Sequence, residues 1–298
     1  MQDPCFPLEL EQIIFTYAVQ TRIRNPTNLF LVAKRVREWL VPIVFEVIII
    51  QNNRSFPIPF TPLSKFQEYR SHLRCFLLSR VLQGDLPPVT DPDNSLEPFL
   101  RQCHNITNLA LWWYQPTLHL KSLTNLSELT HLSIDGDHLL DLLRGIDPSH
   151  NTTATPTSTL TLTPVLFPGV THLDLLGARW ASQCDDNLTT LAYHFPNLTH
   201  IAHPHSFWAE ADPTLLELTL RKFNFLRVLV WWKPAINKVL AVDEYMSVPV
   251  CDERIVAMRS SWEKDWEREA RRRGDGLWSL ADRTLKERKE RKRTAGVA

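Results

Sequence analysis

VTHLDLL at residues 170–176 decides the reading of this chain, because the same spacing of apolar residues returns on both sides of it. It reappears as ITNLALW at 106–112, LTHLSID at 129–135, LTHIAHP at 198–204 and LRVLVWW at 226–232, and more loosely as Val44/Val47/Ile49 and Leu73/Phe76/Leu78. The central positions Val47, Phe76, Leu109, Leu132, Leu173, Ile201 and Leu229 are 29, 33, 23, 41, 28 and 28 residues apart. An LxxLxL unit at such intervals is the signature of a leucine-rich-repeat solenoid, in which every unit of about 20–29 residues supplies one strand. The two long steps hold insertions, the Ser/Thr/Pro-rich stretch from Pro148 to Pro164 and the proline-rich stretch from Gly84 to Pro98, which read as loops on a repeat.

One unit buries about three inward side chains, worth roughly 5–9 kcal/mol, against ~1–2 kcal/mol of conformational entropy for each of about 25 backbones. A lone unit therefore cannot fold. Strands of successive units must stack in parallel, with helical segments such as Asp186 to Tyr193 and Thr214 to Phe223 on the other side. The expected class is α/β: an irregular leucine-rich-repeat solenoid with parallel strands, preceded by a small all-α hairpin and closed by C-terminal helices. A conventional α/β sandwich is the alternative. The array is irregular because Tyr114, Asp137, Ala178, Ser206 and Pro234 stand where an Asn or Cys normally satisfies the loop after the strand. The expected divisions are a helical segment at 1–50, the repeat array at 51–243, and a helical cap with a basic tail at 244–298.

Stacking in register places Asn108, His131, His172, His200 and Val228 in one column of the concave face. The next columns hold Ala110, Ser133, Asp174, Ala202 and Val230, then Trp112, Asp135, Leu176, Pro204 and Trp232. Tryptophans flanking a polar centre suit protein recognition, since Trp offers a large contact area at low entropic cost. The candidate substrate-binding residues are thus Trp112, His131, Asp135, His172, Asp174, His200 and Trp232, unless inserted loops cover the tryptophans. Touching imidazoles disfavour one another's protonation, so the histidines are expected to be mostly neutral.

At the start, Leu10, Ile13, Ile14, Tyr17 and Ala18 follow helical spacing behind Pro7. After Asn25-Pro26-Thr27, the residues Leu29, Val32, Ala33, Val36, Trp39 and Leu40 repeat it until Pro42, which should stop the helix. The stretch FPLELEQII at 6–14, followed by NPTNLFLVAKRVREWLVPIVFEVIII at 25–50, resembles the F-box-like domain found ahead of leucine-rich repeats in fungal proteins, and the THL and NLT units resemble the same family's array. The resemblance implies that Pro7, Leu10, Ile14, Leu29 and Val32 contact the adaptor of a cullin-type ubiquitin ligase, with a protein substrate held by the repeats. Phe6 and Val36 depart from the Leu and Trp usual in that motif. Two alternatives stand beside this reading: the hairpin only caps the first repeat, or the chain is an interaction scaffold with no ligase connection.

Near the other end, Ile255, Met258, Trp262 and Trp266 recur at three- and four-residue steps and read as an amphipathic helix. A second follows Gly274-Asp275-Gly276 with Leu277, Trp278, Leu280, Ala281 and Leu285, and ends in KERKERKR at 286–293. The basic run reads as a solvated helix end, with nuclear import as the alternative.

Composition narrows the function further. Of 33 Lys+Arg and 33 Asp+Glu, residues 252–298 carry 14 and 10, so the body holds 19 and 23 and presents no basic stripe for nucleic acid. Only 8 glycines argue against phosphate-binding loops. Cys5, Cys75, Cys103, Cys184 and Cys251 form no CxxC or disulfide framework, which points to a reducing compartment, cytoplasmic or nuclear. The longest apolar run, 41–50, is too short for a membrane span. The sequons at Asn53, Asn105, Asn125, Asn151, Asn187 and Asn197 read as turns. In HIAHPH, Pro204 separates His203 from His205, and no carboxylate or thiol lies near, so no metal and no cofactor is expected. With no GxSxG or HExxH, and with Asp185-Asp186 reading as a helix start, no catalytic residue is assigned.

Overall fold

A computed structural model describes residues 6–20, 26–51, 68–79, 96–112, 120–144, 165–177, 184–204, 213–234, 252–260, 262–272 and 276–296. Tyr114, Ala178, His205, Ser206, the 148–164 insertion and most of the 84–98 insertion lie outside these residues.

The strands are β1 (Val47–Gln51), β2 (Cys75–Ser79), β3 (Asn108–Trp112), β4 (His131–Asp135), β5 (His172–Leu176), β6 (His200–Pro204), β7 (Val228–Pro234) and β8 (Ile255–Ser260). They form one sheet in sequence order, and every neighbouring pair is parallel. Strand n pairing only with n − 1 and n + 1 is the topology of a solenoid. Between the strands run α3 (Leu96–Leu100), α4 (Leu120–Thr124), α5 (Gly136–Arg144), α6 (Cys184–His194) and α7 (Pro213–Lys222). Ahead of the sheet stand α1 (Leu8–Gln20), a 3-10 turn over Pro26–Leu31 and α2 (Lys34–Val44), and behind it α8 (Trp262–Ala270) and α9 (Leu277–Ala295).

Alternation along the strands sorts their side chains onto two faces. Ile48, Phe76, Leu109, Leu132, Leu173, Ile201, Leu229 and Ile255 form the inner row, buried with Leu139, Leu188, Leu216 and Phe223 from the helices and turns of the convex side. Four of the seven parallel steps, from β2 to β6, are also fastened by a threonine just before the strand. The hydroxyl of Thr107 lies 3.3 Å from the Arg74 carbonyl, and those of Thr130, Thr171 and Thr199 lie 3.2, 3.3 and 3.2 Å from the carbonyls of Thr107, Thr130 and Thr171. Asn105 Nδ2 donates to Ser71 O at 2.7 Å and Asn197 Nδ2 to Pro168 O at 2.9 Å. These Asn and Thr side chains satisfy the turn on the entry side of the strand, where the leucine-rich pattern places its Asn after the strand. Thr171→Val keeps the shape and removes the hydroxyl, so the free energy of unfolding should fall by about 1 kcal/mol, read as a lower urea midpoint.

The structure corrects the sequence reading at four places. In β1, Val47 and Ile49 face the concave side while Ile48 and Ile50 join the inner core, a slip of one residue; VIII is apolar on both faces, so alternation cannot choose between them. Val44 closes a helix, which runs through Pro42 in its last turn instead of stopping before it. Helix two is broken, since the 3-10 turn ends at Leu31 and α2 begins at Lys34. Ile255 and Met258 belong to an eighth strand, not to an amphipathic helix, and continue the array past residue 243.

Candidate functional site

The concave columns form in the expected register, Asn108↔His131↔His172↔His200↔Val228 and Ala110↔Ser133↔Asp174↔Ala202↔Val230. His131, His172 and His200 stack face to face, with ring centroids 4.0 Å apart at each step. Each Nδ1 lies 2.7–2.9 Å from the hydroxyl of the preceding threonine. Where that hydroxyl gives its single proton to the neighbouring carbonyl, the neutral ring must carry its own on Nδ1 and donate it to Oγ1. His200 Nε2 also lies 3.3 Å from Asp282 Oδ1, and a neutral ring that donates there accepts from the Thr199 hydroxyl on Nδ1 instead. Burial first, then the neighbouring imidazoles, push His172 down to about 2; burial and then the His200 charge push His131 down to about 4. Burial lowers His200 as well, so all three rings favour the neutral form.

Beside it runs a chain of hydrogen bonds. Trp112 Nε1 donates to Ser133 Oγ at 2.7 Å, and Ser133 Oγ donates to Asp174 Oδ2 at 2.7 Å. Burial pushes the Asp174 carboxyl up to about 7, against the opposing pull of Ser133 and of the Trp232 indole. Asp135 serves the backbone instead, since its Oδ1 accepts the His138 N–H at 3.0 Å in the first turn of α5.

What the sequence reading missed is the cover on this face. Trp112 and Trp232 are both 0% exposed, in a second core with Leu77, Val228, Val230, Val256, Met258, Leu277, Trp278 and Ala281. Among the described residues, the cover comes from the C-terminal helices. Helices α8 and α9, expected to close the end of the array, instead lie across the concave side. Cys75 Sγ lies 3.8 Å from the Ala270 carbonyl at the end of α8. Trp278 packs edge-on against His172 and His200, at 5.2 and 5.7 Å between ring centroids. Arg288 Nη1 donates to the Ile255 carbonyl at 2.7 Å. From Asp282 to Arg288 α9 advances about 9 Å, two strand spacings of about 4.8 Å, so it crosses the sheet from β6 to β8. A cavity of about 30 Å³, room for one or two waters, remains between the helices and Asn108, His131, Ser133, His172 and Asp174.

The second surface is the N-terminal helical pair. Its small core holds Val19, Val36 and Leu40, joined by Phe15, Leu29, Phe30 and Trp39. Arg35 grips Glu11 with Nε and Nη2, at 3.1 and 3.0 Å. Leu29, one of the five residues implied as adaptor contacts, therefore packs inward. Pro7, Leu10, Ile14 and Val32 are exposed, together with Ile13 (61%) and Tyr17 (66%). The apolar stripe read on α1 is thus real but faces away from the hairpin core.

Among the described residues, no group of three or more His, Cys, Asp or Glu could hold a metal ion, and no helix is long and apolar enough to cross a membrane. Asp185 and Asp186 stand in the first turn of α6, with Asp185 paired to Lys222 at 3.0 Å.

No family model matches the chain, and no curated protein matches it. Among solved structures, one that it is similar to is the crystal structure of the leucine-rich repeat-containing protein LegL7 from Legionella pneumophila, at 13% identity and a TM-score of 0.36 over 62% of this chain; the alignment spans 55% of that protein's chain.

Proposed function

We propose that this chain is a protein-interaction repeat that docks a partner through its N-terminal helices, and that the partner is the adaptor of a cullin-type ubiquitin ligase, for which the chain acts as substrate receptor. The observation that carries the docking role is the exposed apolar face of α1, formed by Leu10, Ile13, Ile14 and Tyr17. A contiguous apolar face of this kind marks a site that another protein covers. A hairpin that merely capped the first repeat would bury this face against the array, whereas α2 and Phe45, stacked 3.6 Å from Tyr69, make that join without it. The adaptor identity rests on the F-box resemblance of residues 6–50. The second reading, a scaffold without ligase connection, is favoured by the same surface if its partner is a different protein.

Titration of the purified full-length chain with purified adaptor separates the two. The double substitution Ile13→Asp, Ile14→Asp should weaken binding at least 100-fold while leaving the unfolding midpoint within about 0.5 kcal/mol of the parent, since both side chains are exposed. No adaptor binding by the parent protein would leave the scaffold reading; equal binding by the double variant would exclude this face.

A further inference from the structure

We propose that the concave face is a receptor groove for an amphipathic helix, and that α8–α9 is a resident occupant which a partner's helix displaces. This rests on the chain being a protein-binding repeat, and is independent of what the N-terminal helices bind.

The groove has the chemistry of a helix site. An apolar floor of Val228, Val230, Trp232, Val256 and Met258 lies beside the histidine ladder. Helix α9 enters it with Leu277, Trp278 and Ala281 buried and Leu285 half-buried, offsets of zero, one, four and eight residues that place them on one helix face. Trp278 packs edge-on against the stacked rings of His172 and His200, and Asp282 presents a carboxylate to His200 Nε2. An occupant from another protein would need the same apolar spacing, an aromatic residue at the second position and an acidic one four residues later.

The hold of α8–α9 on the groove is narrow. The fully buried residues of α9 are confined to its first turn and a half, Leu280 and Leu285 pack half-buried against the same cluster, and residues 286–296 are exposed. Along that exposed part, beside the Arg288 bond to β8, Lys292 forms an ion pair with Glu253 in the turn ahead of β8, both largely solvent-exposed, a kind that adds little. Ala270 is the fully buried residue described on α8, and Trp266 is half-buried. A cavity persists under the pair. The two helices are fastened to each other, through Ser279 Oγ donating to Glu269 Oε1 at 2.8 Å, so they can leave as a unit. The floor cannot stay bare, because it would expose two tryptophans and a run of valines. Release is therefore an exchange of one helix for another.

Hydrogen exchange on the unaltered protein gives the first test. Amides of residues 279–285 should exchange at least 100-fold faster than those of β4–β6, through an opening that leaves the sheet intact; equal protection of helix and sheet would make α9 a permanent layer and overturn the proposal. The second test uses a fluorescent synthetic peptide of residues 276–296. Full-length Trp278→Ala, its own occupant weakened, should bind the peptide at least 10-fold more tightly than the parent does, and Ile13→Asp in the same background should leave that binding unchanged. A folded Trp278→Ala protein with no gain in peptide binding overturns the proposal; should the variant fail to fold, the exchange result on the parent decides.

Discussion

Trp112→Ala should lower the free energy of unfolding by about 3–5 kcal/mol, the usual cost of emptying a large aromatic site in a core. The indole is fully buried between the sheet and the C-terminal helices, and its Nε1 begins the chain to Ser133 and Asp174. Removing it leaves a void and also takes away the donor that Ser133 accepts. Trp112→Phe separates the two contributions: it refills most of the volume and loses the hydrogen bond, so it should cost about 1–2 kcal/mol. Urea unfolding of the three proteins measures both. A change below 1 kcal/mol for the alanine variant would mean that the indole faces solvent, as the columns alone suggested. The result also bears on function, because a weakened partner contact in a Trp112 variant would first reflect a loosened core.

The inner row was legible because VTHLDLL, LTHLSID and LTHIAHP alternate sharply between apolar and polar residues, so register follows from the pattern. Where that contrast fails, the reading fails with it. VIII at 47–50 offers two equivalent faces, hence the one-residue slip. Ile255 and Met258 are three apart, a spacing that serves a helix face as well as it serves two sides of a strand. The cover on the concave face was not local information, since nothing in α9 itself says which surface receives its Leu277 and Trp278. Yet a trace of it was present. CFLLS and VLVWW are apolar on both faces, as strands buried on both sides are, and only the His and Asp positions between them gave the columns a solvent-facing look. The exposed stripe on α1 was read as a helix face, and its orientation depended on Phe15 and Val19 supplying the hairpin core instead.

Acidification should destabilise the protein by about 3 kcal/mol for each pH unit between pH 6.5 and 4, with stability nearly flat above pH 7. The sign follows from three histidines and one carboxyl. Burial holds His131 down to about 4, His172 to about 2 and His203 to about 3, whereas an unfolded histidine titrates near 6.5. Their stabilisation is complete above 6.5 and is lost as the pH falls, because the unfolded chain takes up about three protons that the native ladder and core refuse. Asp174 works in the opposite sense: raised to about 7, its stabilisation is present below an unfolded carboxyl's ordinary value of about 4 and is lost as the pH rises through 7. Between 4 and 6.5 unfolding therefore binds about three protons and releases about one, a net uptake of about two. Urea midpoints across pH 4–8 give the slope, and Asp174→Asn provides the control. The variant lacks the opposing proton, so it should lose stability more steeply on acidification, by about 1 kcal/mol per pH unit beyond the parent. Parallel curves for the two proteins would mean that Asp174 ionises in the folded chain as freely as in water. The Ser133–Asp174 bond would then be a surface contact, and the helices would not be closing the concave face.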